Sequence, residues 1–319
     1  MPSQPLIHRW LPALLLGLLS WLFTAPTLAR SCPPEATAPT PEQVREAART
    51  APDRGFLWRI EKDGRHAHLY GTLHVGQPAW LVPGPRTRQA LADADVLALE
   101  LDPTDADTQA ALMQRLSTPL KNPLPTALTA RLRRQAEADC LPWAALQPLR
   151  PELQLTTLVL SAARRQSLDA AYGSEMVLLG MARQLDKPVH ALESATEQAE
   201  ALLMDDDAQL VQLLEASLDD LENGRATAVL QKLATAWAER DAQLLQTYEQ
   251  WCECVETEAE RVLMHRLLNE RNARLAARID ALHGEKGPLF VAVGALHLFG
   301  PQGLPALMKA RGYRVEPVF

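Results

Sequence analysis

The stretch that most constrains this chain is Leu69-Tyr-Gly-Thr-Leu-His74-Val-Gly76, because it returns near the other end as Val293-Gly-Ala-Leu-His297-Leu-Phe-Gly300. Each copy follows a short apolar, β-leaning run, His68-Leu-Tyr70 in one case and Leu289-Phe-Val-Ala-Val293 in the other. Runs of that kind suit buried strands. A glycine at a strand end admits backbone conformations that a side chain forbids, so a histidine three residues on is aimed out of the sheet edge. In an open α/β sheet, ligands bind at that edge. Satisfied core histidines beside ordinary turns are the competing account of either copy alone. The repetition is what makes the pair a candidate site.

Between the motifs the pattern alternates strand and helix. Phe56-Leu-Trp-Arg-Ile60, Lys62-Asp-Gly64 and His66-Ala-His-Leu-Tyr70 read as strand, turn and strand, with Asp-Gly as the hairpin signal. Arg86 to Ala92 reads as a short helix, and the continuous apolar run Val96-Leu-Ala-Leu99 as a buried parallel strand. Glu100 closes that strand, and a carboxylate there needs a cation, a metal or hydrogen-bond donors to offset its desolvation. From about 105 to 185 the pattern is helical and broken by six prolines, which predicts several short helices. Within it Asp169 reads as a helix N-cap. Lys187 to Leu192 is a further β-like run ending in an acid, Glu193. Residues 194–282 are almost entirely helix-compatible. At 100° per residue Leu263, Leu267, Leu268, Leu275, Ile279 and Leu282 share a stripe that contains Arg271. Such an arginine either snorkels to water or meets an anionic partner, for which Glu100, Glu193 or a substrate carboxylate is available. The last strands are predicted at Leu289 to Val293 and Tyr313 to Val318, with a helix across Leu304 to Ala310 between them. The expected fold is therefore α/β and α-rich: a mixed central sheet with Gly-x-x-His motifs at strand ends and a large helical insertion.

Composition enters where compartment and partners are concerned. The formal charge is −7, and the first 29 residues carry Arg9 as their sole charged side chain, so the rest of the chain is more acidic still. That argues against nucleic acid as a partner. Arg9, the apolar run Leu11 to Phe23 and Thr27-Leu-Ala29 form a signal-peptide pattern, with cleavage expected after Ala29. The run is shorter than the roughly 20 residues that span a bilayer, so the expected product is periplasmic or secreted, with no stable membrane anchor. Residues 30–55 then form a leader ahead of one domain over 56–319. Export makes Cys32, Cys140, Cys252 and Cys254 candidates for disulfides. Cys252-Glu-Cys254 is too closely spaced to pair comfortably with itself. Cys140 is therefore expected to join Cys252 or Cys254, leaving Cys32 to the other.

The ordered set Gly71-x-x-His74, Glu100 after Ala94 to Leu99, Lys187-Pro-Val-His-Ala-Leu-Glu193 with Gln198 beyond it, Arg271-Asn272, Gly294-x-x-His297 and Gly312-Tyr-Arg-Val resembles the TraB/GumN family, which includes the Tiki-type metalloproteases. The resemblance runs from about Phe56 to Phe319. It implies peptide-bond hydrolysis assisted by a metal, with a peptide or protein as substrate.

The residues themselves are compatible with that chemistry. Two imidazoles and a carboxylate at strand ends suit a divalent ion such as Mn, Co or Zn and leave positions open for water. The expected ligands are His74, Glu100 and His297. Glu193 is the expected second carboxylate or base, and Arg271 with Asn272 the expected oxyanion or supporting donors. No His-Glu-x-x-His, Gly-x-Ser-x-Gly or P-loop is present. A binding or sequestering protein for exported peptides, using the same cleft without turnover, is the alternative, because function resides in the site rather than in the fold.

Overall fold

The structure, a computed structural model, describes residues 32–319. The signal-peptide pattern and its cleavage site lie outside the described residues. Six strands form one mixed sheet in the order β4-β3-β5-β2-β1-β6. They are β1 (Phe56–Lys62), β2 (Arg65–Thr72), β3 (Val96–Leu99), β4 (Val189–Ala191), β5 (Leu289–Gly294) and β6 (Arg314–Pro317).

The hairpin β1–β2 forms where Asp-Gly predicts it. Asp63 and Gly64 both adopt positive φ, 52° and 73°, which is the backbone a two-residue turn needs to match strand twist. Strands β2, β5, β3 and β4 run parallel to one another, while β1 lies antiparallel to both β2 and β6. All four residues of β3 are buried, as expected of a parallel strand covered on both faces. The two motif-bearing strands, β2 and β5, are direct neighbours, with Thr72 opposite Gly294.

Helices occupy both long crossovers. Between β3 and β4 lie Ala106–Leu116, Thr126–Ala138, Trp143–Leu146, Pro151–Ala163 and Ser174–Gln184, each short because prolines interrupt the pattern. Between β4 and β5 come Asp207–Glu222, Arg225–Glu239 and Arg271–Glu285 among others. One apolar core packs on the sheet around Phe56, Ile60, Leu69, Leu97 and Phe290. A second core is largely helical and joins Leu132 and Leu158 of the first crossover to Leu214 and Leu218 of the second. Among the described residues no helix is long and apolar enough to cross a membrane.

The cysteine pairing corrects the expectation. Cys32 joins Cys140, and Cys252 joins Cys254 across a single intervening residue, with Cα atoms 5.5 and 5.1 Å apart. The short bridge forms because Glu253 takes positive φ, 52°, folding the chain back on itself so that two cysteines that an extended backbone would hold apart come into bonding range. With Cys252 and Cys254 satisfied locally, Cys140 meets Cys32. Non-reducing peptide mapping should recover a peptide pair linked through Cys32 and Cys140 and a single peptide holding both Cys252 and Cys254. Any species linking Cys140 to residue 252 or 254 would contradict this pairing.

Candidate functional site

The four parallel strands present their carboxyl ends along one edge, and each delivers a candidate residue there. His74 follows β2, Glu100 follows β3, Glu193 follows β4 and His297 follows β5. This is the edge at which open parallel sheets bind ligands. Residues as far apart in sequence as His74 and His297 are thus gathered by strand order alone.

The glycines achieve this differently from the sequence expectation. Neither Gly71 nor Gly294 has positive φ. Gly71 is required by close approach: a Cβ there would stand 3.0 Å from Ala295 Cα and from Leu298 Cδ1, so the two motif segments touch through it. Its carbonyl accepts a 2.7 Å hydrogen bond from Trp237 Nε1. Gly76 is required by the segment Asp169–Ser174, since a Cβ would lie 2.0 Å from the Tyr172 carbonyl oxygen. Gly76 and Asp169 exchange backbone hydrogen bonds of 3.0 and 2.9 Å. Ser174 repeats the exchange one turn on: its hydroxyl accepts from Leu73 N at 2.7 Å and its N–H donates to Leu73 O at 3.0 Å. Asp169 itself accepts from Ala171 N and pairs with Arg164, the capping role expected of it.

Arg271 is the centre of the charge network. Its Nη2 lies 2.5 Å from Glu193 Oε2 and 2.5 Å from Glu100 Oε2, while its Nε donates to Glu193 Oε1 at 3.0 Å. The anionic partner is therefore present and the snorkelling alternative is not adopted. Arg271 is 7% exposed and the Glu193 side chain 0%. Burial on this scale is tolerable only because each charge is hydrogen-bonded to its opposite. Glu193 does not line the cleft; its geometry is that of an anchor for the guanidinium.

The helix carrying Arg271 has an irregularity that the 100° projection does not anticipate. His265–Glu270 is π-helical, and the regular helix resumes at Arg271–Glu285. The extra residue per turn shifts the phase, so the predicted stripe divides. Leu275, Ile279 and Leu282 pack into the sheet core, whereas Leu263 joins the helical core. Leu267 and Leu268 face the cleft beside Arg271.

His297 sits on the short turn Ala295–Leu298 and is 4% exposed. Asn272 Nδ2 donates to Gln302 O at 2.8 Å, which turns Asn272 Oδ1 toward His297 Nδ1 at 2.6 Å. That acceptor holds the proton on Nδ1. The lone pair of Nε2 then faces Glu100 Oε1 at 3.6 Å. Burial lowers the His297 pKa to about 4, against the raising influence of Glu100, so the ring is neutral at physiological pH. Burial also pushes Glu100 up, but His297, Arg271, His74 and the Gly294 N–H at 2.7 Å outweigh it and hold the carboxyl at about 2. Gln198 Nε2 adds a 3.2 Å contact to Glu100 Oε2.

His74 has a partner that sequence reasoning missed. Its Nδ1 lies 2.8 Å from Glu175 Oε1, and Glu175 raises the histidine pKa to about 9. The imidazole side chain is 72% exposed, so water screens part of that attraction. Glu175 occupies the first turn of Ser174–Gln184, the helix that the Leu73–Ser174 contacts bring up to the motif. Its sequence signal is weak: an acid in a helix's first turn has an ordinary explanation in the helix dipole.

His74, Glu100 and His297 line one cleft of about 320 Å³, together with Gln198, Arg271 and Leu267. The donor chemistry fits a divalent ion. Both imidazoles have Nδ1 set against an oxygen and Nε2 left over, the arrangement that ligating histidines adopt. At His297 and Glu100 two lone-pair donors face each other across 3.6 Å, which a cation reconciles. In the other direction, Arg271 already neutralises Glu100. Among the described residues no three His, Cys, Asp or Glu side chains are drawn tightly enough together to form a ready-made metal cluster.

Comparison with known proteins gives a consistent picture. The model of the TraB/PrgY/gumN family matches residues 56–317. The chain is 30% identical over 260 residues to the uncharacterized protein YbaP of Shigella flexneri and, to the same extent, to YbaP of Escherichia coli strain K12. Each alignment covers 77% of this chain and 88% of the relative. No solved structure matches the chain significantly.

Proposed function

This chain belongs to the TraB/PrgY/gumN family, and from that premise together with the cleft geometry we propose that it is an exported metal-dependent hydrolase acting on peptides. The observation that carries the reading is the facing pair of lone-pair donors, His297 Nε2 and Glu100 Oε1, at the carboxyl edge of the parallel strands. His74, His297 and Glu100 would hold the ion. When bound, a divalent ion lowers the pKa of its water and polarises a carbonyl.

The protein's own groups supply the rest. Asn272 fixes the His297 tautomer and ring plane through Nδ1. Gly294 N–H and Gln198 orient Glu100. Arg271 places positive charge beside the cleft, where it stabilises a developing oxyanion. Only its Nη1, with a single long contact to Leu267 O at 3.4 Å, has donor capacity to spare. Glu193 holds Arg271 in place. Export is supported by the N-terminal leader pattern and by the use of all four cysteines in bridges.

Two measurements test this reading: metal content of protein purified without chelator, and proteolysis of a peptide library with and without added Mn, Co or Zn. Stoichiometric metal with cleavage is the expected result. The already neutralised state of Glu100 favours the second reading, a peptide-binding protein without turnover, and that reading gains if peptides bind but none is cut.

The protonation states predict a further signature. Glu100 and His297 are already in their ligating forms at neutral pH, whereas His74, raised to about 9, carries a proton that ligation must displace. Calorimetric titration near pH 7.5 in buffers of differing ionisation enthalpy should show close to one proton released per ion bound. The release should fade as pH rises through about 9. Ion binding with no proton released even near pH 5.5, where an ordinary imidazole of pKa about 6.5 is protonated, would exclude His74 from the site.

A further inference from the structure

A second cavity, of about 350 Å³, opens on the seam between the sheet core and the helical core. Leu155, Val159, Leu213, Leu230 and Leu263 contribute its apolar walls, and the Cys252–Cys254 bridge closes one side. Two of its residues, Leu233 and Leu267, also line the cleft that holds His74, Glu100 and His297. The two spaces therefore share a wall. One helical stretch links them at a spacing of four residues: Leu263 lines the second cavity, Leu267 lines both, and Arg271 lines the cleft.

The charged groups at the rim are already engaged, and the hydroxyls of Ser217 and Tyr248 are the remaining polar groups of its lining. Asp220 pairs with Arg225, Glu260 accepts from the Thr257 N–H and hydroxyl at 2.8 and 2.9 Å, and the Thr156 hydroxyl donates to Glu152 O. An occupant therefore needs no charged group to satisfy this site. Apolar spaces of about 300–1,000 Å³ are the usual size of ligand pockets. The volume is more than twice the roughly 150 Å³ that accommodates one benzene ring in an engineered cavity, so it takes two large side chains.

We propose that this cavity is a substrate subsite that receives large apolar side chains of the peptide held in the neighbouring cleft. The identity of the occupant rests on the peptidase reading above; the existence of the subsite does not require turnover. Leu233 and Leu267, at the shared wall, set the path between the two spaces.

The test uses the full mature chain and the neutral fluorophore N-phenyl-1-naphthylamine. One equivalent should bind with enhanced emission, and a peptide containing Leu-Phe should displace it while the Ala-Ala analogue does not. Val159→Trp and Val229→Trp, which fill the cavity from two different helices at half-buried positions, should each weaken probe binding at least tenfold with unchanged metal content. Two variants are used so that misfolding of one leaves the other decisive, and wild-type displacement decides without either. Displacement without hydrolysis of any peptide would sink the peptidase reading and leave the subsite standing. Hydrolysis whose Leu-Phe over Ala-Ala preference survives both fillings, or probe binding that Leu-Phe peptide leaves untouched, would overturn the subsite.

Discussion

Arg271→Met should destabilise the folded chain by about 3–5 kcal/mol, because it leaves the buried Glu193 and the nearly buried Glu100 without their shared cation. Against a total of about 5–15 kcal/mol this is a large fraction, and for a chain of this size it lowers the melting temperature by on the order of 10 °C. Arg271→Lys should recover only part of the loss, since a single ammonium cannot reproduce the forked contacts to both carboxylates. The pH dependence has a definite sign. Glu100 has a folded pKa lowered to about 2, so its stabilising contribution is fully present above its ordinary value of 4.5 and disappears as pH falls toward 2. In Arg271→Met the uncompensated carboxylates take up protons more readily, so the deficit relative to wild type should narrow between about pH 7 and 4. Urea denaturation at both pH values measures it. A deficit below about 1 kcal/mol at neutral pH would mean that water reaches the network and that the charges are not held as buried ions.

The sheet and the identity of its edge were legible in the chain because each signal is local. Strand β3 announces itself by an unbroken apolar run, the β1–β2 hairpin by Asp63-Gly64, and Glu100 by being an acid where such a strand ends. Arg271 was legible as an anomaly on an apolar stripe, and both Glu100 and Glu193 stood among its named partners before the fold placed them there. What escaped depends on tertiary contact or on unusual backbone. Glu175 reaches His74 from a helix just over a hundred residues along the chain, where its spacing carries no signal. The π-helical turn at His265–Glu270 moves Leu267 and Leu268 out of the phase that a uniform projection assigns them. The Cys252–Cys254 bridge requires positive φ at a glutamate, a residue type that gives no warning of it. Gly71 and Gly294 were singled out on a conformational argument that neither backbone bears out, whereas Gly71 is needed for its missing Cβ.

Glu100→Gln should separate the chemical role of this edge from its structural one. The substitution preserves shape, and an amide oxygen can still accept from Gly294 N–H as the carboxylate does at 2.7 Å. It removes the charge that faces His297 Nε2, and it turns an amide NH₂ toward the Arg271 guanidinium and the Gln198 amide. If Glu100 ligates the ion, bound metal should fall sharply and hydrolysis by about a thousandfold or more. A Lewis acid contributes several kcal/mol, and each 1.36 kcal/mol of barrier is about tenfold in rate. Stability should fall by only about 1–3 kcal/mol, the range for leaving a buried polar partner unsatisfied, because Glu193 continues to hold Arg271. Glu193→Gln supplies the reciprocal control. It weakens the anchor of Arg271 away from the cleft, so it should cost stability while metal content remains close to wild type. Metal analysis, peptide turnover and urea denaturation on the two variants give a crossed pattern that a purely structural edge cannot produce. If Glu100→Gln lost stability as Glu193→Gln does and kept its metal and its turnover, Glu100 would be a counter-ion for Arg271 and nothing more.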